Sequence, residues 1–333
     1  MTATQLEAAT APDRRAKVLL VARLVASAVM LAILIDRVPR FGALAPRWDN
    51  GALWWLAAGL LATLAGIWLS ALRWQRVASA LGVRARLSTL FNQYLAGQFV
   101  SNFLPSTIGG DVLRVRRLSS LTGTSPKVFA SVVLERLTGW LVLPLITLTA
   151  LAVNPGLRHL GTASTVALWI SLSTLAGLAA VLTMAAHPRI GGRLAHHQGW
   201  TRFLGAVHLG VDQLRRAPRA ALGVVAVGFA YQLTVVFAAL MAAESLGLEP
   251  VGPTAVLAFM PAVAIAQVLP ISFGGLGVRE GAFVLFLHPL GVATADAITL
   301  GLLVYALNLA VSLLGAPAFA AGNRARNAAR AVA

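Results

Sequence analysis

The 333-residue chain contains no cysteine, which excludes a disulfide framework, a thiolate nucleophile and any thiol-ligated metal, and leaves its redox compartment unread. Charge is also scarce. Only 11% of residues are charged and only 11 are Asp or Glu, far from the balance of a soluble globular domain. No Gly-x-x-x-x-Gly-Lys phosphate loop occurs, so nothing in the chain reads as a nucleotide-driven motor. What is present is apolar: 58% hydrophobic residues and a mean hydropathy of +0.78. These values describe an all-α polytopic membrane protein. Lys and Arg number 27, giving a net charge of +16. Because they fall between the apolar runs and not on one polar face, they read as positive-inside topology and attraction to anionic lipid. Nucleic-acid binding is not expected.

Six apolar runs are long enough to span: 18–35, 52–72, 126–153, 162–186, 220–243 and 293–319. Residues 1–16 read as a disordered cytoplasmic tail, with Arg14, Arg15 and Lys17 before the first run. Ala26-Ser27-Ala28 resembles a signal cleavage site, but the apolar run continues well past it, which favours an uncleaved helix. Arg73, Arg76, Arg84 and Arg86 after the second run form a cytoplasmic flank, as do Arg324, Arg326 and Arg330 after the last. Both termini are thus expected in the cytoplasm, with 17–321 as one membrane domain and 322–333 as a tail. Between 187 and 219, Trp200, Phe203, Leu204, Val207, Val211 and Leu214 share one helical face, predicting an amphipathic helix lying on an anionic leaflet. His187, His196, His197 and His208 lack the spacing of a ligand set, so no metal is expected.

Two stretches break this pattern. Leu104-Pro105 to Gly109-Gly110 and Arg114, and Leu269-Pro270 to Gly274-Gly275 and Arg279, both read Leu-Pro-x-x-x-Gly-Gly-x-x-x-Arg. Each follows a short apolar segment and places helix breakers and charge where hydrocarbon tolerates neither without a purpose. Tyr94, Gln98 and Asn102, four residues apart, run into the first motif as a polar stripe that reads either as inter-helix glue or as a cavity wall. Each motif is therefore expected at the tip of a re-entrant helical hairpin.

Glu135 and Arg136 lie inside the third run, roughly 14 Å from its start at ~1.5 Å per residue. Adjacent helical residues diverge by about 100°, so each needs a partner elsewhere: Asp111 for Arg136, and Arg114 for Glu135. A structural ion-pair network is the competing account. The final run carries Tyr305, Asn308 and Ser312 on related faces.

The motifs lie 165 residues apart, and Leu81-Gly82 matches Leu246-Gly247 at the same offset. With both termini cytoplasmic, the order span, span, hairpin, span occurs twice, over 17–153 and 162–321, with opposite orientation: an inverted repeat. Broken helices at mid-membrane expose backbone N–H groups suited to an anionic head group. Gly109, Gly110, Gly274, Gly275 and Gly277 allow close backbone approach, and Pro105 and Pro270 remove donors that would lack partners. Arg114 and Arg279 add phosphate contacts, while Asp111 and Glu280 temper the affinity. Gln98, Asn102, Glu135 and Arg136 complete the expected substrate site.

The stretch Asn102 to Arg114, the segment Ser131 to Gly139 with Glu135-Arg136, and Phe273-Gly274-Gly275-Leu276-Gly277-Val278-Arg279-Glu280 resemble the membrane region of lysylphosphatidylglycerol synthases. That family includes the flippase half of the multiple peptide resistance factor. The resemblance covers about 52–322 and implies a flippase-like fold in the bacterial cytoplasmic membrane. Only about a dozen residues follow the last run where bifunctional relatives carry an aminoacyl-transferase domain, so lipid aminoacylation is not expected. The leading expectation is a lipid flippase without a bound cofactor. Its partners are membrane lipids, an anionic phospholipid or a lipid-linked precursor, and homo-oligomerisation is left open. A membrane-embedded transferase acting on a polyprenyl-phosphate-linked or phospholipid substrate, using Asp111, Glu135 and Glu280 as acid and base, is the alternative. A regulatory subunit with a vestigial cavity is a third reading.

Overall fold

In hydrocarbon a chain segment satisfies its own N–H and C=O groups only as a helix or in a closed barrel. The computed structural model takes the first solution, with no strand among the described residues. Those residues are 50–103, 109–187, 201–269, 272 and 274–321, with four helical positions at 21, 25, 29 and 32. Apart from those four positions the first expected span falls outside them, as do Pro105, Pro270, Trp200, His196, His197 and the two terminal tails.

From residue 50 on, the described residues form ten α-helices: α1 (Asn50–Ala80), α2 (Leu87–Phe103), α3 (Gly109–Thr122), α4 (Ser125–Val153), α5 (Thr162–Ala186), α6 (Thr201–Arg216), α7 (Pro218–Ser245), α8 (Pro253–Ala266), α9 (Val278–Leu287) and α10 (Thr294–Leu313). Past a turn at Leu314, helix continues to 321. Five of these are long and apolar enough to cross a membrane: α1, α4, α5, α7 and α10 with its continuation. They match five of the six expected runs. Trp54, Trp68 and Trp169 stand exposed on them, as side chains facing lipid do.

α1 continues as helix well beyond the expected end of its span. It runs to Ala80, so Arg73 is an interior residue of the helix and is buried, not part of a solvated flank. α6 departs from expectation differently. Ala206 and Val207 are buried against Ala130, Val133 and Leu134 of α4, Ala185 of α5 and Val224 of α7, and Leu204 is buried as well. Its apolar face is taken up largely by protein instead of by a leaflet. His208 is held to α5 as well, its Nδ1 lying 2.6 Å from the Ala185 carbonyl.

The short helices pair. Ser101 and Gly97 of α2 lie against Gly110 of α3, and Gly97 also meets Arg114, so α2 and α3 run antiparallel. A Cβ on Gly110 would sit 2.2 Å from the Gly97 carbonyl oxygen, a distance that only glycine avoids. Between α8 and α9, Phe259 and Phe286 stack with ring centres 5.2 Å apart.

In chain order, a long helix, two short ones and a long one occur twice: α1 to α4 and α7 to α10, with α5 and α6 between. The ends of α1 and α7 are alike. Gly82 and Gly247, at φ 77° and 67°, close α1 and α7. In both places the next residue's N–H reaches back five residues, Val83 to Ala78 and Leu248 to Ala243, in the geometry of a Schellman cap. α1 and α7 pack along one another, with Gly59 facing Ala238 and Met241, and Gly66 facing Tyr231.

Candidate functional site

Between α1, α2, α4, α7, α8, α10 and the 274–279 segment lies a cavity of about 300 Å³. That is the lower end of the range for small-molecule sites. For a bundle this apolar, its wall is unusually polar. Arg73, Arg136, Arg279 and Glu135 line it with Gln98, Ser101, Asn102, Gln232, Gln267 and Asn308. The chain has three tyrosines, and all three, Tyr94, Tyr231 and Tyr305, are on this wall.

One side is built by a chain of ion pairs joining three helices. Arg73 of α1 donates to Glu135 of α4. Glu135 is fully buried, lies within 3.5 Å of the Tyr94 hydroxyl, and has the Arg114 guanidinium of α3 3.4 Å from its second oxygen. Arg114 donates to Asp111 at 2.6 Å, and Arg136 Nε donates to the other Asp111 oxygen at 2.8 Å. Both pairings inferred from helical geometry are therefore present, and Glu135 and Arg136 do not pair with each other. The network is larger than the sequence suggested because Arg73 caps it. Arg73 Nε and Nη1, Arg114 Nη1 and Asn102 Nδ2 are buried without a hydrogen-bond partner among the described residues.

The other side carries Arg279. Its Nε and Nη2 donate to the neighbouring Glu280 Oε1 at 3.0 and 2.5 Å, while Glu280 Oε2 accepts the Gly277 N–H at 2.6 Å. Glu280 thus caps the N-terminus of α9, where a carboxylate is favoured, and holds Arg279 in place at once. Each buried arginine also lies over an aromatic ring: Arg73 over Tyr231 at 5.0 Å, Arg114 over Tyr94 at 4.3 Å and Trp74 at 4.9 Å, and Arg279 over Tyr305 at 4.6 Å.

The expected site residues therefore separate into two layers. Gln98, Asn102, Glu135, Arg136 and Arg279 line the cavity, as does Gly274. Asp111, Arg114 and Glu280 stand behind, fixing the residues that do. Arg73, Tyr231, Gln232 and Gln267 were not anticipated. Tyr231-Gln232 had a signal, being a polar pair in the middle of an apolar run, and Gln267 sits 165 residues after Asn102.

The two motifs adopt different backbones. Gly109 and Gly110 are the first residues of α3, whereas Gly274, Gly275 and Gly277 all have positive φ and α9 starts only at Val278. The carboxylates also differ in what they hold: Glu280, third residue of α9, accepts the Gly277 N–H, whereas Asp111, third residue of α3, accepts from Arg114 and Arg136. A Cβ on Gly275 would lie 2.9 Å from Gln267 Cβ.

A family model for the lysylphosphatidylglycerol synthase TM region matches residues 19–315. The chain belongs to that family. No curated protein matches it individually. Membership in the lysylphosphatidylglycerol synthase TM family, together with the apolar helices, makes this a multi-pass membrane protein with a lipid-related role. Each stretch that carries the resemblance supplies part of the cavity wall: Asn102 from the first, Glu135, Arg136 and Gly139 from the second, and Gly274 and Arg279 from the third.

Proposed function

We propose that the protein is a lipid flippase that moves an anionic, phosphate-bearing head group between leaflets. The observation that carries this reading is the cavity, with Arg73, Arg136 and Arg279 on its wall inside an otherwise apolar bundle. Buried charge at this depth is costly, and in membrane proteins it marks pathways for polar cargo. In this reading α2–α3 and α8–α9 are re-entrant hairpins approaching from opposite faces, the two sets of four helices form an inverted repeat, and the cavity opens to each leaflet in turn. The termini lie in the cytoplasm and the membrane is the bacterial cytoplasmic one. Arg279 and Arg136 meet the head group. Arg114, Asp111 and Glu280 set their positions, and the glycines of the two tips supply the conformational freedom for opening. Acyl chains remain in lipid, since the cavity volume suits a head group alone.

Reconstitution into liposomes carrying labelled lipids in one leaflet tests this. Acceleration of leaflet exchange for at least one anionic phospholipid or lipid-linked precursor is expected. Exchange no faster than in protein-free liposomes across the panel would refute it.

A further inference from the structure

We infer that the cavity selects a singly charged phosphodiester head group and rejects a head group bearing an amine, including the lysyl group from which the family takes its name. The inference rests on the lipid-transport reading of the same cavity.

It follows from counting charges and their partners. The network holds three guanidinium groups, Arg73, Arg114 and Arg136, against two carboxylates, Asp111 and Glu135, and Arg279 is matched by Glu280. One positive charge remains uncompensated. An uncompensated charge within a low-dielectric bundle is what a bound monoanion neutralises, and a dianion would overfill it. Donors are also left over: Arg73 Nε and Nη1 have no hydrogen-bond partner among the described residues, although Arg73 lines the cavity and is only 3% exposed. Arg136, whose side chain is 44% exposed, offers its remaining N–H groups to the same space.

A cation finds the opposite. Each nearby carboxylate is already claimed, Glu135 by Arg73 and Arg114, Asp111 by Arg114 and Arg136, and Glu280 by Arg279 and the Gly277 N–H. Amide and hydroxyl oxygens of the wall, such as those of Gln98, Gln232 and Asn308, accept from an ammonium group but bring no charge to neutralise it, and the rings of Tyr94, Tyr231 and Tyr305 each already carry an arginine. Of the aromatic side chains on the wall, that leaves Trp140. The phosphodiester of a glycerophospholipid and that of a polyprenyl-linked sugar present the same charge, and the probes below separate them.

The full chain in nanodiscs of zwitterionic lipid is titrated with short-chain phosphatidylglycerol, its lysyl ester, short-chain phosphatidate and a short polyprenyl-phosphoryl-hexose. One of the two singly charged phosphodiesters should bind at least about tenfold more tightly than the lysyl ester and the phosphatidate, whose phosphomonoester carries about −1.5 to −2 at pH 7. The tighter of the two identifies the source. Arg136→Gln, which removes the excess charge, should weaken that binding about tenfold. Glu135→Gln, which raises the excess to two, should shift the preference toward phosphatidate. Lysyl ester binding as tight as or tighter than phosphatidylglycerol overturns the inference, as does the absence of binding by every probe or an unchanged preference in both variants. Leaflet exchange is measured separately. Selective binding without exchange would remove the transport reading and leave the selectivity, while exchange of the lysyl ester at the rate of the unmodified lipid would do the reverse.

Discussion

Gly110→Ala sets two opposed energies against each other at the contact that holds α2 to α3. Replacing a helical glycine with alanine normally stabilises by up to about 1 kcal/mol, less in a first turn, where Gly110 sits. Here the added Cβ would lie 2.2 Å from the Gly97 carbonyl oxygen and 2.3 Å from Ser101 Oγ. Ordinary contact begins at 3.4 Å, more than 1 Å farther, and the obstructing Gly97 atom is backbone, so no side-chain rotation relieves it. The helices must separate, and Arg114, whose Cγ would meet a Cβ on Gly97 at 3.1 Å, moves with α3 away from Glu135. Overpacking of this kind costs ~1–3 kcal/mol, which exceeds the propensity gain. Gly281→Ala is the matched control: it is helical, its φ is not positive, and nothing lies within 4 Å of the added Cβ. Thermal unfolding in detergent should show Gly110→Ala less stable and Gly281→Ala unchanged or more stable than the parent, with leaflet exchange reduced only in the first. A Gly110→Ala protein as stable and as active as the parent would refute the packing argument.

Two further outcomes follow from the same geometry. Glu135→Ala leaves Arg73 and Arg114 buried around a missing carboxylate and should cost ~3–5 kcal/mol, whereas Glu135→Gln, which keeps a side-chain acceptor, should cost clearly less; chemical or thermal unfolding of both variants checks the order. Gly315→Ala drives a Cβ to 2.1 Å from the Leu95 carbonyl oxygen, while Gly210→Ala meets the flexible end of Leu134, so the first should lower the unfolding temperature more than the second.

Much of this arrangement was legible in the residues, and the parts that were not have physical reasons. Hydropathy located the long helices because a membrane demands some 20 apolar residues in a row. Helical geometry was enough to send Glu135 and Arg136 to partners outside α4, because adjacent residues there cannot share a direction, and the charges of the neighbouring motif, Asp111 and Arg114, are the partners found. Arg73 escaped notice because, three residues before Arg76, it reads as membrane-flanking charge. Only the length of α1, 31 residues or about 46 Å, puts it inside the bundle. The apolar face of α6 carried no mark to tell protein from lipid, since both offer the same apolar surface. The different backbones of two motifs with the same spacing were hidden for a related reason. The carboxylates are not at equivalent motif positions, Asp111 three residues before Arg114 and Glu280 directly after Arg279, so the shared spacing says nothing of the contact that Glu280 alone makes with the Gly277 N–H.

The central claim is that the arginines of the two glycine motifs serve one lipid pathway. Its most direct test is the rate of leaflet exchange in liposomes holding matched amounts of inserted parent protein, Arg114→Ala and Arg279→Ala. The account predicts exchange by the parent, loss of exchange in each variant, and equal insertion of all three. Full exchange by both variants would contradict it.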